Sequence, residues 1–306
     1  MVDIECIIHD MKLHKFQEAF CRRESVVSAL RQNGLLALSM QCASCQESIK
    51  ERVKNTGDGT MFYCNRSTCR SAKSIRHESF FARSKLSLCD AMLFLHLWSK
   101  GYNEKLIIND FPFSNPTVVD WSQYCRDICL YHFETDNHVI GGPGIIVEID
   151  ETMAVKRKYN RGRMLKAGWL FGGIERRDDG IYRCFMRLVY DRSGPHLCHL
   201  IREHIAPGTH IISDGWLAYS QLGTMGYQHG VVIHEDNFVS PDDSNVHTQR
   251  IESTWSSLKR FIRSRGTHKG PHYVEYIYKY LFRRKFENVF DALINVIKTE
   301  YPFSNQ

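Results

Sequence analysis

"GIIVEIDETMAVKRKYNRGR", from Gly144 to Arg163, begins as an apolar run, meets Glu148, Asp150 and Glu151, and then turns basic at Lys156, Arg157, Lys158, Arg161 and Arg163. Glu148 and Asp150 alternate with Val147 and Ile149, so on a strand both carboxylates leave from one face. A salt-bridged surface hairpin would account for these charges. So would a carboxylate that holds a metal beside a phosphate backbone. The stretch also marks a change of period. From residue 145 onward "IIVEIDETMAV", "AGWLFGGIER", "IYRCFMRLVY", "HIISDG" and "GVVIHED" read as strands, with the helical "GPHLCHLIREHI" between the third and fourth. Long helical patterns follow. That order predicts an α/β layered domain over residues 144–290, with 291–306 as a C-terminal helix or tail. The run "DNHVIGGPG" (136–144) is the best linker in the chain.

Upstream of the linker the composition differs. Residues 1–39 form an N-terminal helical segment, with one amphipathic helix expected over 13–35 from Phe16, Phe20, Val27 and Leu30, and Gly34 as its stop. Residues 40–84 are short, polar and cysteine-bearing. Cys42 and Cys45 make a C-x2-C pair, Cys64 and Cys69 a C-x4-C pair, and "NTGDGT" is a turn between them. Four thiolates on two facing hairpins can close a tetrahedral zinc site, and the spacing resembles a zinc ribbon with one structural Zn²⁺. The polar segment would make a poor core alone, so metal binding would supply its folding energy. The other seven of the 11 cysteines fall in helical or strand patterns and read as buried thiols. Residues 85–135 are helical and could form a helix-turn-helix. Its second helix would start after Ser114 or Asn115, bury Val118, Trp121, Tyr124 or Cys125, and Ile128, and turn Thr117, Asp120, Gln123 and Arg126 outward. An ordinary helical hairpin fits these residues equally.

The bulk numbers narrow the class. A chain of 306 residues suggests about two domains. No run of eighteen apolar residues occurs, so no membrane partner is expected, and the N-terminus lacks a signal peptide's apolar stretch. An intracellular protein is the expectation. The formal charge of +6, from 40 basic and 34 acidic residues, is a weak bias towards polyanions.

Two further elements echo the opening stretch. In "HIISDGW", Asp214 ends a strand-like run, as Asp150 does, and strand carboxyl ends are where α/β sheets place ligands. In "HTQRIESTWSSLKRFIRSR", Ile251, Trp255, Leu258 and Ile262 form a buried helical stripe, while Glu252, Ser256, Lys259 and Arg263 share an adjoining one. Glu252 could join the two aspartates, and Lys259 and Arg263 could contact phosphates. Taken singly, each acid reads as a cap or a solvated charge.

Together, "VEIDET", "KRKYNRGR", "IISDGW.AY" and "HTQRIESTWSSLKR" resemble the motif blocks of Merlin-type DDE transposases and their bacterial insertion-sequence relatives, over roughly residues 40–290. The resemblance implies an RNase H-like catalytic domain preceded by a zinc ribbon and a helix-turn-helix-like region. It matches Asp150, Asp214 and Glu252 to the three catalytic acids and Lys259 to the lysine after the third. It implies cut-and-paste transposition on terminal inverted repeats and target DNA. Hydrolysis would free a 3′-hydroxyl that then attacks the target. Two Mg²⁺ or Mn²⁺ ions would be shared by the three carboxylates, with Asp150 bridging both. Lys156, Arg157, Lys158, Arg161 and Arg163 would contact the DNA backbone. His247, close before Glu252, could touch the scissile phosphate, or only cap or pack. Joining two ends implies a homo-oligomer, at least a dimer, acting in the nucleus of a eukaryotic host or otherwise in the cytoplasm at the nucleoid. A domesticated DNA-binding regulator that kept only the N-terminal region is the alternative. All three acids being present argues against it.

Overall fold

A computed structural model describes residues 11–54, 57–135, 139–154, 168–177, 182–232, 247–265 and 272–302. The basic run from Lys156 to Arg163 therefore lies outside the described residues. The chain forms two compact units, one from residues up to Tyr131 together with those from Asn288, the other from His132 to Glu287.

The first unit begins with α1 (Leu13–Phe20) and α2 (Arg23–Gln32). The single helix expected over 13–35 is two, broken where Arg22 turns extended at φ −99°, ψ 130°. Phe16, Phe20, Val27 and Leu30 are buried as expected. Gly34 ends the segment in the left-handed region, at φ 70°. Four short strands follow in the order β1 (Met40–Gln41), β2 (Ser48–Val53), β3 (Thr60–Tyr63) and β4 (Ala72–Ser74), all antiparallel. Arg76 is buried and pairs with Asp58 of the turn between β2 and β3, its Nε 2.8 Å from Oδ2, while Nη1 donates to the Leu86 carbonyl at 2.7 Å. The ribbon is so tied to the chain entering the next helix.

Helices α3 (Leu88–Ser99), α4 (Glu104–Asp110) and α5 (Asn115–Thr135) complete the sequence of this unit up to the linker. Ser114 caps α5, accepting from the Thr117 amide at 3.3 Å. Val118, Trp121, Cys125 and Ile128 are buried, and Tyr124 is exposed. Arg126 departs from the expectation. It is buried, 3.7 Å from Glu104, because α4 supplies an acid on the side where solvent was expected. The C-terminal helix α9 (Val289–Glu300) belongs to this unit. Phe290 meets Phe16 with ring centroids 5.6 Å apart, and Phe16 stacks on His96 of α3 at 4.1 Å.

The second unit is built on a mixed sheet of β6 (Ile146–Met153), β7 (Trp169–Glu175), β8 (Cys184–Val189), β10 (His210–Asp214) and β11 (Gln228–Val232), in the order β11-β10-β6-β7-β8. A two-residue strand, β5 (Ile140–Gly141), pairs with β9 (Ile205–Ala206). β10 runs parallel to both β6 and β11, whereas β7 is antiparallel to β6 and β8. α6 (Gly194–His204) covers one face, where Val147, Ile149, Phe171, Phe185, Leu197, Ile201 and Ile211 form the core. α7 (Gln249–Ser264) packs on the other face, against β6 and β7, and is followed by α8 (Tyr273–Lys285).

Candidate active site

Strand β6 presents Glu148, Asp150 and Thr152 on the α7 side, and each meets a different turn of that helix. Glu148, with no exposed surface, accepts from the Arg250 amide at 2.8 Å and the Ile251 amide at 3.0 Å. It satisfies two of the donors that a helix N-terminus leaves unpaired. Arg176 completes the anchor with Nε at 3.0 Å and Nη2 at 2.8 Å from Glu148 Oε1. Asp150 accepts from Trp255 Nε1 at 3.0 Å. Lys259 donates to the Thr152 hydroxyl. Steps of two strand residues cover about 6.6 Å. Steps of four helix residues cover about 6 Å. The two rises nearly match, which lets three successive rungs form between strand and helix.

Trp255 needs room to reach Asp150. Gly172 lies opposite Asp150 in the β6–β7 register, and a β-carbon there would sit 2.7 Å from Trp255 Cη2 and 2.8 Å from the Phe185 carbonyl oxygen. Trp255 is core, as its helical position predicts, and also holds the first acid. Neither partner is visible in the sequence, because residue spacing does not say which strand a helix will cross.

Asp214 stands beside Asp150. The parallel register aligns Ile212 with Glu148, so two residues further each strand reaches its aspartate on the same pleat. Asp214 also accepts from the Trp216 amide at 3.2 Å. Glu252 is one residue past the anchored N-terminus of α7 and accepts from the Thr248 hydroxyl at 2.8 Å. The acids sense one another. Burial, and then the charges of Asp214 and Glu252, push Asp150 up to about 6 against the opposing hydrogen bond from Trp255. Glu151, on the other pleat face with the Tyr219 hydroxyl, is pushed up to about 8 by burial, Asp150 and Asp214, while Arg192 acts in the opposite sense.

A half-buried group of hard oxygen donors whose own charges are mutually unfavourable fits a divalent cation. Among the described residues the three acids are not gathered as tightly as the four cysteines below. His247 sits elsewhere: its Nδ1 is 3.2 Å from Arg176 Nη2 and 3.6 Å from Glu148, so it packs on the helix anchor. Arg263 is exposed on α7.

The ligand sulfurs of Cys42, Cys45, Cys64 and Cys69 all lie within 4.8 Å of one another, with Cys45 and Cys64 at 3.6 Å. A tetrahedron with bonds of about 2.3 Å has edges of roughly 3.8 Å, so the cluster fits zinc. Each pair turns back in the same way. Gln46 after Cys45 and Arg70 after Cys69 both take left-handed backbone, at φ 58° and 44°. Ser71, then the backbone at Cys45 and Ser44, lower the Cys42 thiol to about 6, while burial and the crowding of neighbouring sulfurs push Cys64 and Cys69 up, so without metal the thiolate is favoured at Cys42 and not at those two.

Residues 133–286, half of the chain and spanning all three acids, match the family described as ISXO2-like transposase domain. The chain belongs to this family. It is an insertion-sequence DDE transposase by family, a class that acts on DNA and uses divalent metal. No curated protein matches the transposase. Among its described residues no helix is long and apolar enough to cross a membrane.

Proposed function

We propose that this transposase cuts and joins DNA by the cut-and-paste route, on an RNase H-like catalytic domain, and that it is of the Merlin type. The observation that carries the reading is the alignment of Asp150 and Asp214 on neighbouring parallel strands, with Glu252 brought alongside by a helix locked to the same strand. A mixed sheet with its acids on two central parallel strands supports the RNase H-like assignment.

Asp150, Asp214 and Glu252 would hold two Mg²⁺ or Mn²⁺ ions. When bound, these would activate the attacking oxygen and neutralise charge on the leaving one. The chain's own residues do the rest. Trp255 fixes the Asp150 carboxylate so that it does not reorganise when substrate arrives. Lys259 donates to Thr152 at the same edge and is proposed to bring its positive charge to a phosphate. Ala154 and Gly168, joined by a hydrogen bond of 3.1 Å, are where the chain leaves and re-enters this edge around the run Lys156–Arg163. Those five cations are proposed to track the backbone of the bound duplex, as is Arg263. The four-cysteine ribbon, with one Zn²⁺, and the helices of residues 85–135 would bind the terminal inverted repeats. Two copies would hold two ends, in the nucleus of a eukaryotic host or at the nucleoid of a bacterium.

The test is to incubate the full chain with labelled element-end DNA and Mg²⁺ and map the products. The expected result is strand cleavage at the element end that leaves a 3′-hydroxyl, stops on chelation, and is followed by joining to a second duplex. Tight, end-specific binding with no cut under Mg²⁺ or Mn²⁺ would instead mark a DNA-binding regulator.

A further inference from the structure

Arg192 leaves the sheet at the same edge as the acids. It follows the carboxyl end of β8, whose Val189 pairs with Trp169, and Trp169 in turn pairs with Met153 at the end of β6. The guanidinium carbon lies 3.5 Å from the Trp169 ring centroid and 4.7 Å from that of Trp216. Two indoles therefore fix the plane of the fork and cover its faces. Among the described residues no acceptor is recorded for its N–H groups. The adjacent carboxylate, Asp191, is engaged by the Ser193 amide at 2.8 Å and hydroxyl at 2.7 Å. Glu151 accepts a hydrogen bond from the Tyr219 hydroxyl and feels Arg192 as a nearby charge. The backbone amide of Trp216 meanwhile donates to Asp214, so one residue touches both the fork and a candidate metal ligand.

We propose that Arg192, held between Trp169 and Trp216, binds a DNA phosphodiester neighbouring the scissile one. A planar guanidinium with covered faces and open N–H edges matches the paired oxygens of a phosphate. Its place on the α6 side of the sheet edge, with the acids on the α7 side, suits a strand that crosses the edge. Holding the neighbouring phosphate would set the scissile group against the carboxylates. Leu217, 84% exposed beside Trp216, extends this surface towards solvent.

The inference rests on the reading of the chain as a DNA-cutting enzyme. Its test uses full-length wild type, Arg192→Gln and Arg192→Lys, with end DNAs carrying a single neutral methylphosphonate at each phosphate flanking the cut in turn. In wild type one position should raise KM about tenfold, as expected for a lost charge-assisted contact, and change kcat less. Arg192→Gln should show that higher KM on unmodified DNA and lose nothing more at that position. Arg192→Lys, which keeps charge but not the fork, should recover only part. The cost of each methylphosphonate is read within one protein, so a general loss of folding cancels from it. If every methylphosphonate costs Arg192→Gln as much as wild type, the phosphate contact is overturned while the cutting activity stands. If wild type cuts no end DNA, both readings fall.

Discussion

Two carboxylates on one face of one strand carry opposite burdens. Glu148 is buried and fully engaged by two amides and Arg176. Asp150 is half-buried, with Trp255 and the Glu151 backbone as donors and two acidic neighbours opposing its charge. A carboxyl whose pKa rises on folding contributes stability only while protonated, and loses it as pH climbs through the folded value. For Asp150 that loss runs from the ordinary 3.8 up to about 6. Its charge at neutral pH therefore destabilises the metal-free fold, by about 3 kcal/mol at most. Asp150→Asn keeps an oxygen for Trp255 and removes the charge. Thermal melts without metal should place this variant above wild type near neutral pH, with the gap closing at about pH 4. Mg²⁺ should raise the wild-type melt and leave the variant almost unmoved. Glu148→Gln should do the reverse and cost about 3 kcal/mol, because Arg176 and two amides lose a charged partner. Equal destabilisation by both substitutions would contradict the division of labour.

Helix α7 and strand β6 act as one element because their rises nearly match, and the device depends on the missing side chain at Gly172. Gly172→Ala would push against Trp255 and the Phe185 backbone together. Overpacking of this kind costs about 1–3 kcal/mol. It should also loosen Asp150, so cleavage should fall more than stability alone explains, as measured at a temperature where the variant is fully folded. A variant that is destabilised yet cuts at the wild-type rate would show that the Trp255 contact is packing alone. The ribbon is the second such element. Its strands bury little, and among them only Ile49 and Phe62 are fully covered. Metal analysis of the purified chain should find about one zinc, by the four-ligand rule. Chelation should abolish end binding with the fold of the second unit retained. A folded ribbon with four free thiols and no metal would contradict the site.

Across the whole molecule, what was legible in the sequence was local. The spacing of Cys42, Cys45, Cys64 and Cys69, the alternation around Asp150 and the stripe of Ile251, Trp255, Leu258 and Ile262 each concern a single element, and each has its expected geometry. What was hidden depends on which elements meet. Arg126 turns inward because Glu104 lies across from it. Helix α9 joins residues more than 180 positions earlier, at Phe16 and His96, which no local pattern announces. Arg192 reads as a loop cation until two tryptophans from separate segments close on it. The central claim is that three acids from three elements of one unit serve a single DNA-cutting site. Asp150→Asn, Asp214→Asn and Glu252→Gln nearly preserve shape while removing a metal-holding charge. Cleavage and binding of the same element-end DNA, measured on the same preparations, test that claim most directly. The account predicts that each single substitution abolishes cleavage, that double substitutions lose nothing further, and that binding persists through the N-terminal region. A Glu252→Gln variant that cuts at the wild-type rate would contradict it.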